Sequence, residues 1–291
     1  MTSRSRILAL LGSLAACGGA PSAPPAQPAV APEGTVASAD GVPIYYRSAG
    51  AGEPTVVLVH CWGCSSDEWT DAMTALAPTH RVVALDLAGH GRSGKGRAAW
   101  TVPAFAGDVR AVMDHLGVTR AIVVGHSMAG PIAIEAAVEM PDKIVGVIPI
   151  DTLQDAGKAE DPADITSFFA KMRDSFAPTV EALVRGIVPK TADPAVIQRI
   201  LAFELANDPA IAIPVLENNW RFPVKDVFAR VRVPIVAINA DLFPTNVAGN
   251  RALAPQYQVH LITGVGHWPM LEAPARFNAL LTQTVAEIAA R

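Results

Sequence analysis

Residues 121–130 read Ala121-Ile122-Val123-Val124-Gly125-His126-Ser127-Met128-Ala129-Gly130. The first four are the apolar run of a buried strand, and 131–140 has the composition of a helix, so Ser127 stands where a core strand turns sharply into a helix, a nucleophile elbow. Such a turn crowds the backbone. Only very small side chains two residues before and after the serine, here Gly125 and Ala129, let strand and helix come close enough. The helix that follows aims unpaired amides and the positive end of its dipole at the serine, which favours a developing oxyanion. Pro131 suits the first turn, where no intrahelical amide bond is lost.

The same alternation runs through the chain. A hairpin is predicted over 35–38 and 43–47 around Asp40-Gly41, then short buried strands over 55–59, 81–85, 121–124 and 144–150. Helical spacing separates them over 67–77, 102–116 and 131–140, with Gly117 closing the second helix. Strands over 234–238 and 258–262 and a last helix over 274–290 complete the series. This order implies right-handed crossovers and a mostly parallel sheet covered on both faces, an α/β fold. Between Asp151 and about Arg232 strands give way to amphipathic helical segments over 163–176, 179–187, 194–207 and 209–220. That pattern reads as a helical cap, about 152–232, of the kind that closes over a pocket and shapes substrate choice. Its large apolar residues, such as Phe168 and Phe203, are expected mostly to pack the cap on itself.

A serine is a poor nucleophile until a base takes its proton and an acid orients that base. His267, in Gly264-Val265-Gly266-His267-Trp268-Pro269 just past the last core strand, is the expected base, because its loop leaves the carboxyl edge of the sheet with the other loops. Asp241, at the end of the strand before the histidine loop, is the expected acid. Asp151, one core strand earlier, is the alternative. His60 is read as a loop-ordering residue; His80, His90, His115, His126 and His260 are read as structural or solvated. The oxyanion donors are expected from the amide of Met128, next after the serine, and from Trp62 in the loop that follows strand 55–59.

Cys61-Trp62-Gly63-Cys64 is a C-x-x-C, but the chain has only three cysteines, no second pair to complete a zinc site and no thioredoxin order of elements. An intra-loop disulfide that fixes loop shape is consistent with an oxidising periplasm. The first sixteen residues carry Arg4 and Arg6 and a short apolar run, which reads as a cleaved export signal (1–16) and not a membrane span. Leu14-Ala15-Ala16-Cys17 resembles the lipobox of bacterial lipoproteins. That resemblance implies cleavage before Cys17, acylation of Cys17 and a place in the bacterial cell envelope; Gly18 after the cysteine implies the outer membrane. Residues 17–33 are Pro/Ala-rich and form an expected tether. The remainder, 34–291, is long enough for one large core. The net charge of -4 falls to -6 without Arg4 and Arg6, and no Lys/Arg run is left to track a phosphate backbone, so nucleic acid is not an expected partner.

His60-Cys61-Trp62, Asp86-Leu87-Ala88-Gly89-His90-Gly91-Arg92-Ser93, Gly125-His126-Ser127-Met128-Ala129-Gly130 and Gly266-His267, in that order, resemble the motifs of the α/β-hydrolase superfamily over nearly all of 34–291. Cys61 and Ala129 stand where the family usually has glycine. The resemblance implies a cofactor-free, metal-free serine hydrolase that cleaves an ester-like bond of a small molecule through an acyl-enzyme on Ser127. A serine nucleophile argues against the epoxide hydrolase and haloalkane dehalogenase branches. Two other readings compete: an envelope binding protein that keeps the scaffold without catalysis, which fluorophosphonate labelling would exclude, and a thiol redox protein that uses Cys61 and Cys64.

Overall fold

β-Branched apolar runs make strands with no wet side when helices cover both faces of a sheet. In the computed structural model, which describes residues 32–159 and 161–291, β3 (Thr55–Val59), β4 (Val82–Leu85) and β5 (Ala121–His126) are buried along their whole length. With β1 (Glu33–Ala37), β2 (Pro43–Ala49), β6 (Ile144–Ile150), β7 (Ile235–Ala240) and β8 (Tyr257–Ile262) they form one sheet in the order β1-β2-β4-β3-β5-β6-β7-β8. The β1–β2 and β2–β4 pairs are antiparallel and the others parallel. Among the flanking helices, α1 (Thr70–Leu76) packs on α11 (Pro274–Ala289), and α2 (Val102–His115) packs on α3 (Ala129–Glu139). This is the mostly parallel, helix-flanked α/β-hydrolase fold that the motif order implies. The expected signal, Cys17 and the tether up to residue 31 lie outside the described residues. Among the described residues no helix is long and apolar enough to cross a membrane.

Five helices fill the gap between β6 and β7: α4 (Pro162–Asp174), α5 (Phe176–Gly186), α6 (Pro194–Leu205), α7 (Pro209–Trp220) and α8 (Val224–Phe228). Three of them start on the same tripeptide, Asp-Pro-Ala. Asp161, Asp193 and Asp208 each accept from the alanine amide two residues on, while the intervening proline takes the first helical position, where it has no bond to lose. The expected helix over 163–176 instead breaks at Ser175 (φ -143°), and Phe176 opens the next helix. Pro178 is tolerated there because it lies in the first turn of α5. The expected helix over 67–77 is split into a 3-10 turn, Ser66–Trp69, and α1, with Ser65 Oγ accepting from the Asp67 amide. The short helices α9 (Val247–Leu253) and α10 (Pro269–Glu272) carry too little periodic pattern to be predicted.

The loop leaving β4 is pinned from below by a buried ion pair. Arg97, 1% exposed at its side chain, lies 2.5 Å from Asp108 Oδ1 and 2.7 Å from Asp40 Oδ2. Asp108 also accepts from Ser38 Oγ (2.6 Å) and from the Ala88 amide (3.1 Å). Removing one member of such a pair strands the other charge in the core. Arg97→Met should therefore destabilise the fold by about 3–5 kcal/mol, read as a lower urea midpoint at unchanged slope. A midpoint within error of the wild type would mean that Asp108 is neutralised some other way.

Candidate active site

Ser127 has φ +54°, a left-handed conformation that a serine adopts only when the surrounding structure holds it there. Two backbone bonds do so: its amide donates to Ile150 O (3.0 Å), and its carbonyl accepts from the Gly130 amide (2.9 Å). Gly125 supplies the space. A Cβ at that position would lie 2.2 Å from Ala129 O and 3.1 Å from Ala133 Cβ, so strand and helix meet only because the side chain is missing.

His267 reaches this serine from the loop after β8. Its Nε2 is 2.7 Å from Ser127 Oγ and its Nδ1 is 2.7 Å from Asp151 Oδ2. A carboxylate only accepts, so Nδ1 carries the proton and Nε2 is free to accept from the serine hydroxyl. Asp151 is 4% exposed, and its other oxygen accepts from the Ala240 amide (2.9 Å) and from Gln154 Nε2 (3.3 Å). The expected acid, Asp241, stands elsewhere: it is exposed, and Oδ1 accepts from the Gly264 amide at 2.9 Å. The order of the strands places Asp151, and not Asp241, beside the histidine. β6 lies between β5 and β7, so a side chain at its end sits beside the elbow, and a left-handed turn at Asp151 (φ +42°) aims the carboxylate at His267. Ala240, the last residue of β7, holds that carboxylate with its amide, and Asp241 one residue further is turned outward.

Three of the remaining histidines, His126, His60 and His90, are built into the support. His126 Nε2 donates to the carbonyl of His267 at 2.7 Å, and its Nδ1 lies 3.4 Å from Glu68 Oε2. The other Glu68 oxygen accepts from the Cys61 amide (3.1 Å), so one buried chain joins the histidine loop to the Cys61 loop. His60 accepts from the Leu87 amide (2.9 Å) and donates to Cys61 O (2.7 Å). Burial, reinforced by neighbouring His60, pushes His90 down to about 3, which keeps it neutral.

Trp62 and Met128 both border the space in front of Ser127. Among the described residues, neither backbone amide has a hydrogen-bond acceptor. Both residues are tied to the inserted helices by other atoms: Trp62 Nε1 donates to Ala212 O (2.8 Å), and Asn219 Nδ2 donates to Met128 O (3.0 Å). Asn207 Nδ2 adds a bond to Gly63 O (2.8 Å).

A sequence model described as the alpha/beta hydrolase family matches residues 56–280. The chain belongs to this family. Among curated relatives of this α/β hydrolase, the dihydrolipoyllysine-residue acetyltransferase component of the acetoin cleaving system of Cupriavidus necator is 40% identical over 111 residues, 38% of this chain and 30% of that protein. The hydrolase chain thus spans under a third of that relative. Pimeloyl-[acyl-carrier protein] methyl ester esterase of Pectobacterium carotovorum is 28% identical over 71% of this chain and 84% of its own length. A thermophilic esterase from Thermogutta terrifontis superposes with a TM-score of 0.76 at 21% identity, over 89% of this chain and 99% of its own, a likeness of fold.

Two hollows of this α/β hydrolase meet at Ser127. One is an open cleft of about 800 Å³ on the side of Met128, Pro131 and Trp220. The other is a smaller pocket of about 210 Å³ on the side of Trp62 and His267, walled by Leu183, Val184, Ile187 and Leu216 from the inserted segment. Glu204 of α6 also lines the smaller pocket. No spacing in the sequence marks it, because a single glutamate on an amphipathic helix reads as solvated. Cys61 and Cys64 are joined in a disulfide. With Glu68 they form a group whose ligand atoms lie within 4.8 Å of one another. Both sulfurs are used by the bond between them and one Glu68 oxygen by the Cys61 amide, so this donor set does not fit a metal ion.

Proposed function

We propose that this α/β hydrolase is a serine esterase, a reading carried by the unbroken chain Ser127–His267–Asp151 at the junction of two hollows. Ser127 Oγ attacks the ester carbonyl as His267 Nε2 takes its proton, and the negative oxygen is held by the amides of Trp62 and Met128. The same proton passes to the departing alcohol, leaving an acyl-enzyme. Water then attacks with His267 again as base, and the acid leaves. Asp151 fixes the tautomer and stabilises the imidazolium that forms in each half. The inserted helices act as a cap that sizes the acyl or alcohol group. The methyl ester esterase named among the relatives supports an ester as the bond class.

The test is hydrolysis of nitrophenyl esters of increasing acyl length together with labelling by a fluorophosphonate. Turnover on short chains that falls as the chain outgrows the smaller pocket, with Ser127 the labelled residue, is expected. A folded protein that neither labels nor turns over any ester would leave the binding-protein reading in its place.

We also propose that Cys17 is acylated and tethers the enzyme to the cell envelope. In bacterial cells Cys17→Ser should move the protein from the membrane fraction to the soluble fraction, since the acyl chains supply the attachment. Retention of the variant in the membrane fraction would show that another segment holds it there.

A further inference from the structure

Glu204 is 3% exposed and stands in the apolar pocket beside Ser127. Its carboxyl presses on the Cys61–Cys64 turn: a Cβ on Gly63 would lie 2.2 Å from Glu204 Oε2. That oxygen is buried and has no hydrogen-bond partner. Among the described residues no cation faces it; the charged neighbour is Glu68, whose negative charge adds to the effect of burial. Burial first and Glu68 second push Glu204 well above the ordinary carboxyl range, which favours the neutral acid. A neutral carboxyl owns one O–H donor, and because Oε2 is shut against the Gly63 turn it is Oε1 that can offer it to the pocket. Apart from Ser127 and His267, which are bonded to each other, the wall is made of Cys61 and of Leu, Val, Ile and Trp side chains, where an unmet donor is costly and an oxygen arriving in the pocket satisfies it.

We propose that Glu204 reads the substrate, its carboxyl donating a hydrogen bond to an oxygen acceptor, such as a keto, ether or amide oxygen, on the part of the ester that enters the smaller pocket. The inference rests on the esterase reading above. It makes the preferred ester one with a short chain bearing an oxygen, and it disfavours plain alkyl chains, which leave the buried carboxyl unanswered.

Matched ester pairs test it. Para-nitrophenyl levulinate and isocaproate differ by a ketone on the acyl side, and acetoxyacetone and isobutyl acetate by a ketone on the alcohol side. In one of the two pairs the full-length enzyme should favour the keto ester. The ratio of kcat/KM within that pair should fall about tenfold in Glu204→Met and be kept in Glu204→Gln, whose amide also donates. Glu204→Met replaces a buried carboxyl with an apolar chain of similar length, so its melting temperature should not fall. Independently of the Met variant, the infrared band of the protonated carboxyl, identified by its loss in Glu204→Gln, should shift when acetone is added. Ratios equal in all three proteins, or an unmoved band, would mean that solvent satisfies Glu204 and the assignment is wrong. An enzyme that labels with fluorophosphonate yet shows unmoved ratios sinks the Glu204 inference alone. One that neither labels nor hydrolyses any of the four esters sinks the esterase reading, and this inference with it.

Discussion

Ser127→Ala should lower kcat on any ester the wild type accepts by on the order of a million-fold, and fluorophosphonate labelling should vanish. In the proposed mechanism the serine oxygen is the atom that becomes acylated, and His267 Nε2, 2.7 Å from it, has no second side-chain hydroxyl as its partner among the described residues. What survives is water attack assisted by the bound geometry and the oxyanion donors, a residual well above the uncatalysed rate. His267→Ala should lose about as much, and the double variant little more, because nucleophile and base act as one unit. Kinetics at saturating ester with active-site titration read the loss. A Ser127→Ala protein that kept a tenth of its turnover would place the nucleophile elsewhere.

The second large effect separates two aspartates. Asp151→Asn should lower kcat by on the order of ten-thousand-fold, while Asp241→Asn should stay within a few-fold of the wild type. An amide at position 151 can turn its NH2 toward His267, which shifts the imidazole proton to Nε2 and leaves nothing to accept from Ser127. The fold should survive, since the Ala240 amide can still donate to the remaining side-chain oxygen. Asp241 gives up only part of one exposed contact with the Gly264 amide, of the order of 1 kcal/mol in local stability. Circular dichroism and kcat on the same preparations check both. The reverse ranking would overturn the assignment of Asp151.

That pair of residues also marks where reading the sequence stops. The sheet was legible because its strands are apolar runs between turn residues, and Ser127 was legible because a local rule, a small residue two places either side of a serine, describes its turn. His267 follows from a Gly-rich loop at a strand end. Asp151 and Asp241 look alike by the same standard: each follows a core strand of similar composition. What tells them apart is the neighbour relation of β6 and β7, the left-handed turn at Asp151 and an amide at Ala240, a contact between residues 89 apart in the chain. The break at Ser175 is local, and Pro178 announces it in hindsight; the repeated Asp-Pro-Ala starts of α4, α6 and α7 were equally readable signals. Glu204 was not, because its burial depends on how α6 settles against the Cys61–Cys64 turn.

Trp62, Gly63 and Met128 are each bonded to the inserted segment, through Ala212 and Asn219 of α7 and Asn207 of the α6–α7 loop. On the esterase reading proposed above, the part of the protein that selects the ester therefore also braces the part that stabilises its transition state. Such an architecture is not modular. Grafting the 152–232 segment of another hydrolase onto this sheet would import a new pocket shape and loosen both proposed oxyanion donors together, so chimaeras should lose turnover before they lose binding. Point changes within the insertion that leave those three bonds in place should alter selectivity at a smaller loss of turnover.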